Sequence, residues 1–309
     1  MQKHGQKLTN AGRSTVLQAD SLFSRIKIFL EMIKFSHTLF ALPFALTGAL
    51  LAARGIPSAG QIFWIVMAMV GARTAAMAMN RLIDAGIDAQ NPRTASRAIP
   101  AGLISRGSVL FYIVISLALL IYAASRLNPL CVWLSPIAIF FLLLYSYCKR
   151  FTALAHIVLG ICLSAAPIGA WVAIRGQLDL APILLGLAVL FWVAGFDILY
   201  ALQDLEFDKK AGLHSIPVKL GVRGSLILAR IFSAIMILLL IATAKTLHLS
   251  TPFYSGITAA SALIIYEHWL VRDGDLERLD LAFFTMNGYV SVIIFVATVV
   301  ESYFNWGIR

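Results

Sequence analysis

The sequence predicts an all-α, polytopic membrane protein of about nine transmembrane helices, and three observations carry that expectation. Of its 309 residues 60% are hydrophobic and 13% charged, with a mean hydropathy of +0.85, a balance far from that of a soluble domain. The apolar residues gather into runs near the ~20 residues that a helix needs to cross a bilayer. The basic residues between those runs fall mainly in alternate loops, as cytoplasmic loops do.

In chain order, residues 1–24 form a polar tail bearing Lys3, His4, Lys7 and Arg13. They hold no short apolar run ending in a small-residue cleavage site, so a cleaved signal peptide is not expected. Residues 25–309 read as a single transmembrane domain, with apolar runs at 30–53, 61–80, 108–125, 129–147, 153–174, 180–203, 224–246, 251–270 and 282–304. Arg54-Gly55-Ile56-Pro57, Asn128-Pro129, Lys149-Arg150, Arg175-Gly176 and Thr251-Pro252 read as turns between them. Cys131, Cys148 and Cys162 lie in apolar surroundings without metal-ligand spacing and read as packing residues.

With nine spans, the side holding the N-terminus collects nineteen Lys and Arg residues and the opposite side five. That bias places the N-terminus in the cytoplasm. The net charge of +10 therefore follows membrane topology and contact with lipid head groups. It does not form a basic stripe with interleaved aromatics, and no nucleic-acid partner is expected.

Two acid clusters stand out. Asn80, Asp84 and Asp88 follow the second run at four-residue steps, so on a helix they fan over roughly 80° of one face. Asp197, Tyr200, Asp204 and Asp208 close the sixth run at steps of three, four and four and are also expected on one face. Carboxylates beside lipid are costly unless paired, hydrated or bound to a cation. Two such clusters on the cytoplasmic side can share Mg²⁺, which prefers oxygen ligands and keeps waters and phosphates in its shell. Each cluster is followed by a basic loop with an Ile-Pro pair, Ile99-Pro100 and Ile216-Pro217, a recurrence consistent with an ancient repeat.

Arg81, Arg93, Arg97, Lys149, Arg150, Lys209 and Lys210 lie near the acids. Cations beside a metal-binding set make a site for a diphosphate, Arg as a bidentate fork and Lys as a point charge; the plainer reading is anchoring to anionic lipid. A diphosphate at the mouth of an apolar bundle implies a lipid tail within it. Tyr145 and Lys149 are one helical turn apart and point the same way. Arg73 precedes Asn80 by seven residues, about 10 Å deeper in the membrane, and Asp197 precedes Asp204 by the same step. The Arg73–Asp197 layer is either a neutralising ion pair or a seat for the polar end of an acceptor, Arg73 through a carboxylate or Asp197 through a hydroxyl.

These residues resemble a known family. Asn80-x3-Asp84-x3-Asp88 with Arg93-Thr94-x2-Arg97-x2-Pro100-x-Gly102, then Tyr145-x3-Lys149-Arg150, then Asp197-x2-Tyr200-Ala201-x2-Asp204-x3-Asp208, are similar to the UbiA superfamily of intramembrane aromatic prenyltransferases, most closely the 4-hydroxybenzoate polyprenyltransferases. The resemblance covers residues 25 to 304 or so. It implies nine helices around a central cavity, Mg²⁺ between the two Asp motifs, a polyprenyl diphosphate donor and an aromatic carboxylic acid acceptor. It further implies that Asn80, Asp84, Asp88, Asp204 and Asp208 hold the metal directly or through water, and that Arg97 and Lys149 help to stabilise the departing diphosphate. Arg73, Tyr145, Arg150 and Tyr200 then contribute to substrate binding, and Asp197 removes the ring proton or polarises the phenol. The protein would sit in a bacterial inner membrane and serve ubiquinone or menaquinone biosynthesis. Met32-Ile33-Lys34-Phe35-Ser36-His37-Thr38 and the Asn80-Arg81 junction look more like the futalosine branch, whose acceptor is a bicyclic carboxylate.

Two other classes compete. A cation-coupled transporter also buries Asp and Arg, but its sites tend towards the midplane in broken helices. A diphosphate-binding scaffold without catalysis would use the same cations.

Overall fold

A computed structural model describes residues 22–33, 41–272 and 286–306. Its helices are α1 (Leu22–Met32), α2 (Ala41–Ala53), α3 (Ala59–Asp88), α4 (Arg106–Ser125), α5 (Pro129–Cys148), α6 (Ala155–Arg175), α7 (Leu180–Ala201), α8 (Leu205–Lys210), α9 (Ile216–Leu247), α10 (Thr251–Leu270) and α11 (Asn287–Trp306), with a 3₁₀ turn at Leu202–Asp204. No strand occurs among the described residues.

Local chemistry sets the starts. Ser58 and Gln61 form a reciprocal capping box before α3. Ser105, Asn128 and Ser215 accept backbone N–H bonds from Ser108, Cys131 and Val218 at the heads of α4, α5 and α9. Pro129, Pro217 and Pro252 occupy first-turn positions, where a missing N–H costs nothing. Gly176, at φ 67°, ends α6 in the left-handed region.

Seven helical stretches are long and apolar enough to span a membrane: α3, α4, α5, α6, α9, α11 and the run Leu180–Lys210 that contains α7 and α8. This is an integral membrane protein. Of the two other expected spans, 30–53 appears as α1 and the shorter apolar α2, with residues 34–40 outside the described set, and 251–270 appears as α10, which carries Glu267 and His268. The polar tail, Lys34 and His37 also lie outside the described residues, apart from the tail's last three positions at the start of α1.

The core is built around α7. Leu185, Ala188, Val189, Trp192 and Val193 pack with Phe44 of α2, Met236 and Leu240 of α9, Phe253 and Ile264 of α10 and Ile294 of α11. Lipid tails are as apolar as leucine, so close approach of backbones replaces hydrophobic drive between helices. At Gly71 a Cβ would stand 2.7 Å from the Ser116 carbonyl oxygen of α4, and at Gly48 only 2.4 Å from the Pro167 carbonyl oxygen of α6. Meanwhile Trp133, Phe140, Leu238 and Ile265 are exposed, as side chains facing acyl chains must be.

Two consequences position the site. α3 runs past its apolar part to Asp88, so Asn80, Asp84 and Asp88 share one helix, as expected. The second cluster differs from expectation: α7 ends at Ala201, and the 3₁₀ turn precedes a new helix carrying Asp208. The tighter 3.0-residue turn rotates α8 relative to α7, so Asp197, Tyr200, Asp204 and Asp208 do not line one regular helix face.

Candidate active site

The two acid clusters meet at one end of the bundle. Asp84 is 2% exposed; its Oδ2 accepts a hydrogen bond from Asn80 Nδ2 at 3.0 Å and lies 2.6 Å from Lys149 Nζ, while Oδ1 lies 3.1 Å from Arg150 Nη2. Arg150 also donates to the carbonyls of Ser146 and Ile83, at 2.8 and 2.9 Å, and so ties the end of α5 to α3. Asp88 pairs with Arg97 at 2.7 Å, and the Thr94 hydroxyl donates to the Asp88 carbonyl, folding the basic loop back onto the helix end.

That loop also reaches the second cluster. Asn91 Nδ2 donates to Asp204 Oδ1 at 3.0 Å, Arg93 Nε donates to the same oxygen at 2.9 Å, and Arg93 Nη2 donates to Asp204 Oδ2. Arg93 thus grips Asp204 as a fork, a geometry Lys cannot reproduce, while its Nη1 donates to the Tyr200 hydroxyl at 3.2 Å. Partial burial works against the Arg93 charge, yet the hydrogen bonds and charge of Asp204, with Tyr200 beside it, outweigh that and hold the guanidinium above its ordinary value. Asp208 is hydrogen-bonded by Ser215 and feels the charges of Asp204 and Lys149. The His214 N–H donates to the Lys149 carbonyl at 2.8 Å, which closes the α8–α9 connection over the end of α5.

One turn and more below, Tyr145 lies within electrostatic reach of both Asp84 and Asp197. The Arg73–Asp197 ion pair does not form. Asp197 instead contacts His156 Nδ1 at 2.7 Å, whereas the Nε atom of Arg73 is buried without a hydrogen-bond partner. Lys209 pairs with Glu206 at 3.2 Å, both well exposed. Asn91, Ser215 and His156 are the contacts that sequence reasoning did not select; Arg93 is expected near the acids, but its grip on Asp204 is not. Asn91 sits one turn beyond Asp88, which is a usable signal; His156 is a lone histidine in an apolar run and carries none.

Whether these residues suit a divalent cation can be tested on their free oxygens. Asp88 Oδ2 is buried and accepts no hydrogen bond, and Asp84 Oδ1, also without one, has only the Arg150 charge beside it; a buried oxygen left so is costly unless a cation or water meets it. Among the described residues no three His, Cys, Asp or Glu side chains gather closely enough to hold a metal alone. The oxygen-rich set of Asp84, Asp88, Asp204 and Asp208 fits an ion that binds carboxylates directly or through water and fills its shell with water and phosphate oxygens, which is the habit of Mg²⁺.

The sequence profile of the UbiA prenyltransferase family matches residues 41–289. The chain belongs to the UbiA prenyltransferase family. It is therefore a prenyltransferase, which sets aside the transporter and scaffold readings. Among this UbiA chain's curated relatives, the 4-hydroxybenzoate octaprenyltransferase of Aliivibrio fischeri is 31% identical over 247 residues, covering 80% of this chain and 85% of the relative. The Pseudomonas aeruginosa protein of the same name is 30% identical over 251 residues, covering 81% and 84%. Among solved structures, the apo UbiA homologue from Aeropyrum pernix K1 superposes with a TM-score of 0.80 at 33% identity, covering 86% of this chain and 98% of the other. The Archaeoglobus fulgidus UbiA homologue bound to DMAPP and Mg²⁺ shares the fold, with a TM-score of 0.67 at 21% identity over 89% and 98% of the two chains.

Proposed function

We propose that this protein transfers a polyprenyl group from polyprenyl diphosphate to 4-hydroxybenzoate, at the carbon ortho to the hydroxyl, with Mg²⁺ as cofactor and in the service of quinone biosynthesis. The observation that carries the reading is the Asn91/Arg93 grip on Asp204, which brings both acid clusters to one end of an apolar bundle beside four cations. The names of the curated relatives supply the donor and acceptor. The Lys/Arg bias supports a cytoplasmic site in a bacterial inner membrane, with lipids around the bundle.

The metal would be held by Asp84, Asp88, Asp204 and Asp208, with Asn80 beside them, directly or through water. When bound, it supplies Lewis-acid stabilisation of charge developing on the diphosphate. Arg97, Lys149 and Arg150 bind diphosphate oxygens and are aimed where that charge grows, so they act more strongly on the transition state than on the substrate. Arg93 and Tyr200 hold Asp204 in register. The apolar bundle excludes water from the allylic cation that forms as the C–O bond breaks. Arg73, two turns deeper and with an unpartnered Nε, binds the acceptor's carboxylate, Tyr145 helps to position the ring, and Asp197 takes the proton lost from it.

The test is product mass spectrometry of the protein in lipid nanodiscs with polyprenyl diphosphate, Mg²⁺ and a panel of 4-hydroxybenzoate and bicyclic naphthoates. Prenylated 4-hydroxybenzoate is expected, lost with EDTA and restored by excess Mg²⁺. Prenylation of a naphthoate alone would overturn the acceptor assignment, and full turnover in EDTA the metal.

A further inference from the structure

The proposed reaction leaves Asp197 with a neighbour that no step uses. His156 opens α6, is 5% exposed in its side chain, and places Nδ1 2.7 Å from Asp197 Oδ2. Its other nitrogen, Nε2, accepts from the Ile216 backbone N–H at 3.4 Å. A nitrogen that accepts carries no proton, so the ring's hydrogen is on Nδ1 and points at the carboxylate. The ring is therefore clamped between the end of α7 and the start of α9. Its tautomer is set by a backbone group that side-chain substitution does not remove.

From this geometry we infer that His156 is a positioning residue for the ring-deprotonation step. Its Nδ1–H engages Asp197 Oδ2 and leaves Oδ1 to receive the proton. In the reaction the allylic C1–O bond breaks with its electron pair leaving on the diphosphate, and a π pair of the acceptor ring forms the new C–C bond to C1. The C–H pair at that ring carbon then returns to the ring as its proton passes to Asp197 Oδ1. Without the Nδ1–H bond the carboxylate would rotate between orientations, and a base displaced by a fraction of an ångström loses much of its effect.

The inference rests on Asp197 being the base, and the experiment separates the two claims. Turnover and KM are measured for His156→Asn, His156→Gln and Asp197→Asn in the full chain in nanodiscs, with polyprenyl diphosphate, Mg²⁺ and 4-hydroxybenzoate. Asn carries its amide on Cγ, where Nδ1 is attached, and can still donate to Asp197. Gln carries its amide one bond further out, where Nε2 meets Ile216. The expected result is that His156→Asn keeps most of kcat, while His156→Gln loses about tenfold to a hundredfold, the usual effect of removing an orienting partner. KM for the diphosphate should hold in both. A packing role would follow volume and favour Gln; that order, or a folded Asn variant with the larger loss, overturns the inference. In an Asp197→Asn background neither His156 substitution should lower turnover appreciably further, and a large additional drop would also overturn it. If Asp197→Asn itself turns over like the wild type, it is the base assignment that fails. If it is inactive while both His156 variants are unaffected, only the positioning role fails.

Discussion

Replacing Asp84 by Asn should separate catalysis from stability. The carboxylate is 2% exposed, but Lys149 is 30% exposed and can turn to water when it loses its charge, while Arg150, 31% exposed, keeps its bonds to the Ser146 and Ile83 carbonyls. Fully exposed pairs are worth about 0.2–1 kcal/mol each and these half-buried ones somewhat more, but the substitution also removes the cost of burying an anion. Asn fills the same space and can still accept from Lys149. The net loss of stability should therefore stay below about 2 kcal/mol, within the common range for point substitutions. Turnover is another matter: one fewer anionic oxygen at the proposed metal should lower kcat on the order of a thousandfold, which corresponds to ~4 kcal/mol of transition-state stabilisation. Diphosphate release with polyprenyl diphosphate, Mg²⁺ and 4-hydroxybenzoate gives the rate, and denaturant titration in detergent gives the stability. A folded Asp84→Asn protein with kcat within tenfold of wild type would refute the role of this carboxylate.

Two more substitutions probe opposite depths of the bundle. Arg73→Ala should raise KM for 4-hydroxybenzoate by about tenfold or more, the loss of a charged hydrogen bond to a carboxylate, while leaving KM for the diphosphate unchanged; an unaltered acceptor KM in an active protein would exclude direct recognition. Glu301→Leu is the stability control. This carboxylate is fully buried in α11 and accepts from the Ser250 N–H at 2.7 Å, the Ser250 hydroxyl at 3.0 Å and the Phe253 N–H at 3.4 Å, so it caps α10 far from the acids. Its loss should cost about 2–4 kcal/mol in unfolding titrations and leave both KM values as they are.

The sequence made the first acid cluster legible because four-residue spacing has one simple meaning on a helix, and α3 obeys it through Asp88. The second cluster shows the limit of that logic. Steps of three, four and four fit a helix equally well, and nothing between Ala201 and Asp208 is a Gly or Pro that would announce a break. Yet Asp204 sits at φ −100° and ψ 2°, between the 3₁₀ turn and α8. A tertiary contact accompanies that break: the Asn91/Arg93 grip comes from residues more than 100 positions away, and no local pattern encodes such a partner. The Asp197–His156 contact was hidden for the same reason, since periodicity places a side chain on a face but does not say what meets it.

The same contacts explain how so many charges can share an apolar bundle. Asp84, Asp88, Asp204 and Asp208 face Lys149, Arg150, Arg97 and Arg93, with Arg81 buried within reach of Asp84 and Asp88, so each carboxylate has a cation at hand and the cost of an unpaired buried anion is avoided. On the proposed reading, a diphosphate arriving with its counter-cation lets the set exchange partners. Lys149, Arg150 and Arg97 would then turn from carboxylate to phosphate oxygens, and the carboxylates would be the groups that hold the divalent ion. Every buried charge keeps an opposite neighbour at both ends of the exchange. Much of the binding energy is then spent on replacing one set of ion pairs by another, which keeps ground-state affinity modest. The cations can do most for the transition state, where charge on the leaving diphosphate grows and no carboxylate competes for them.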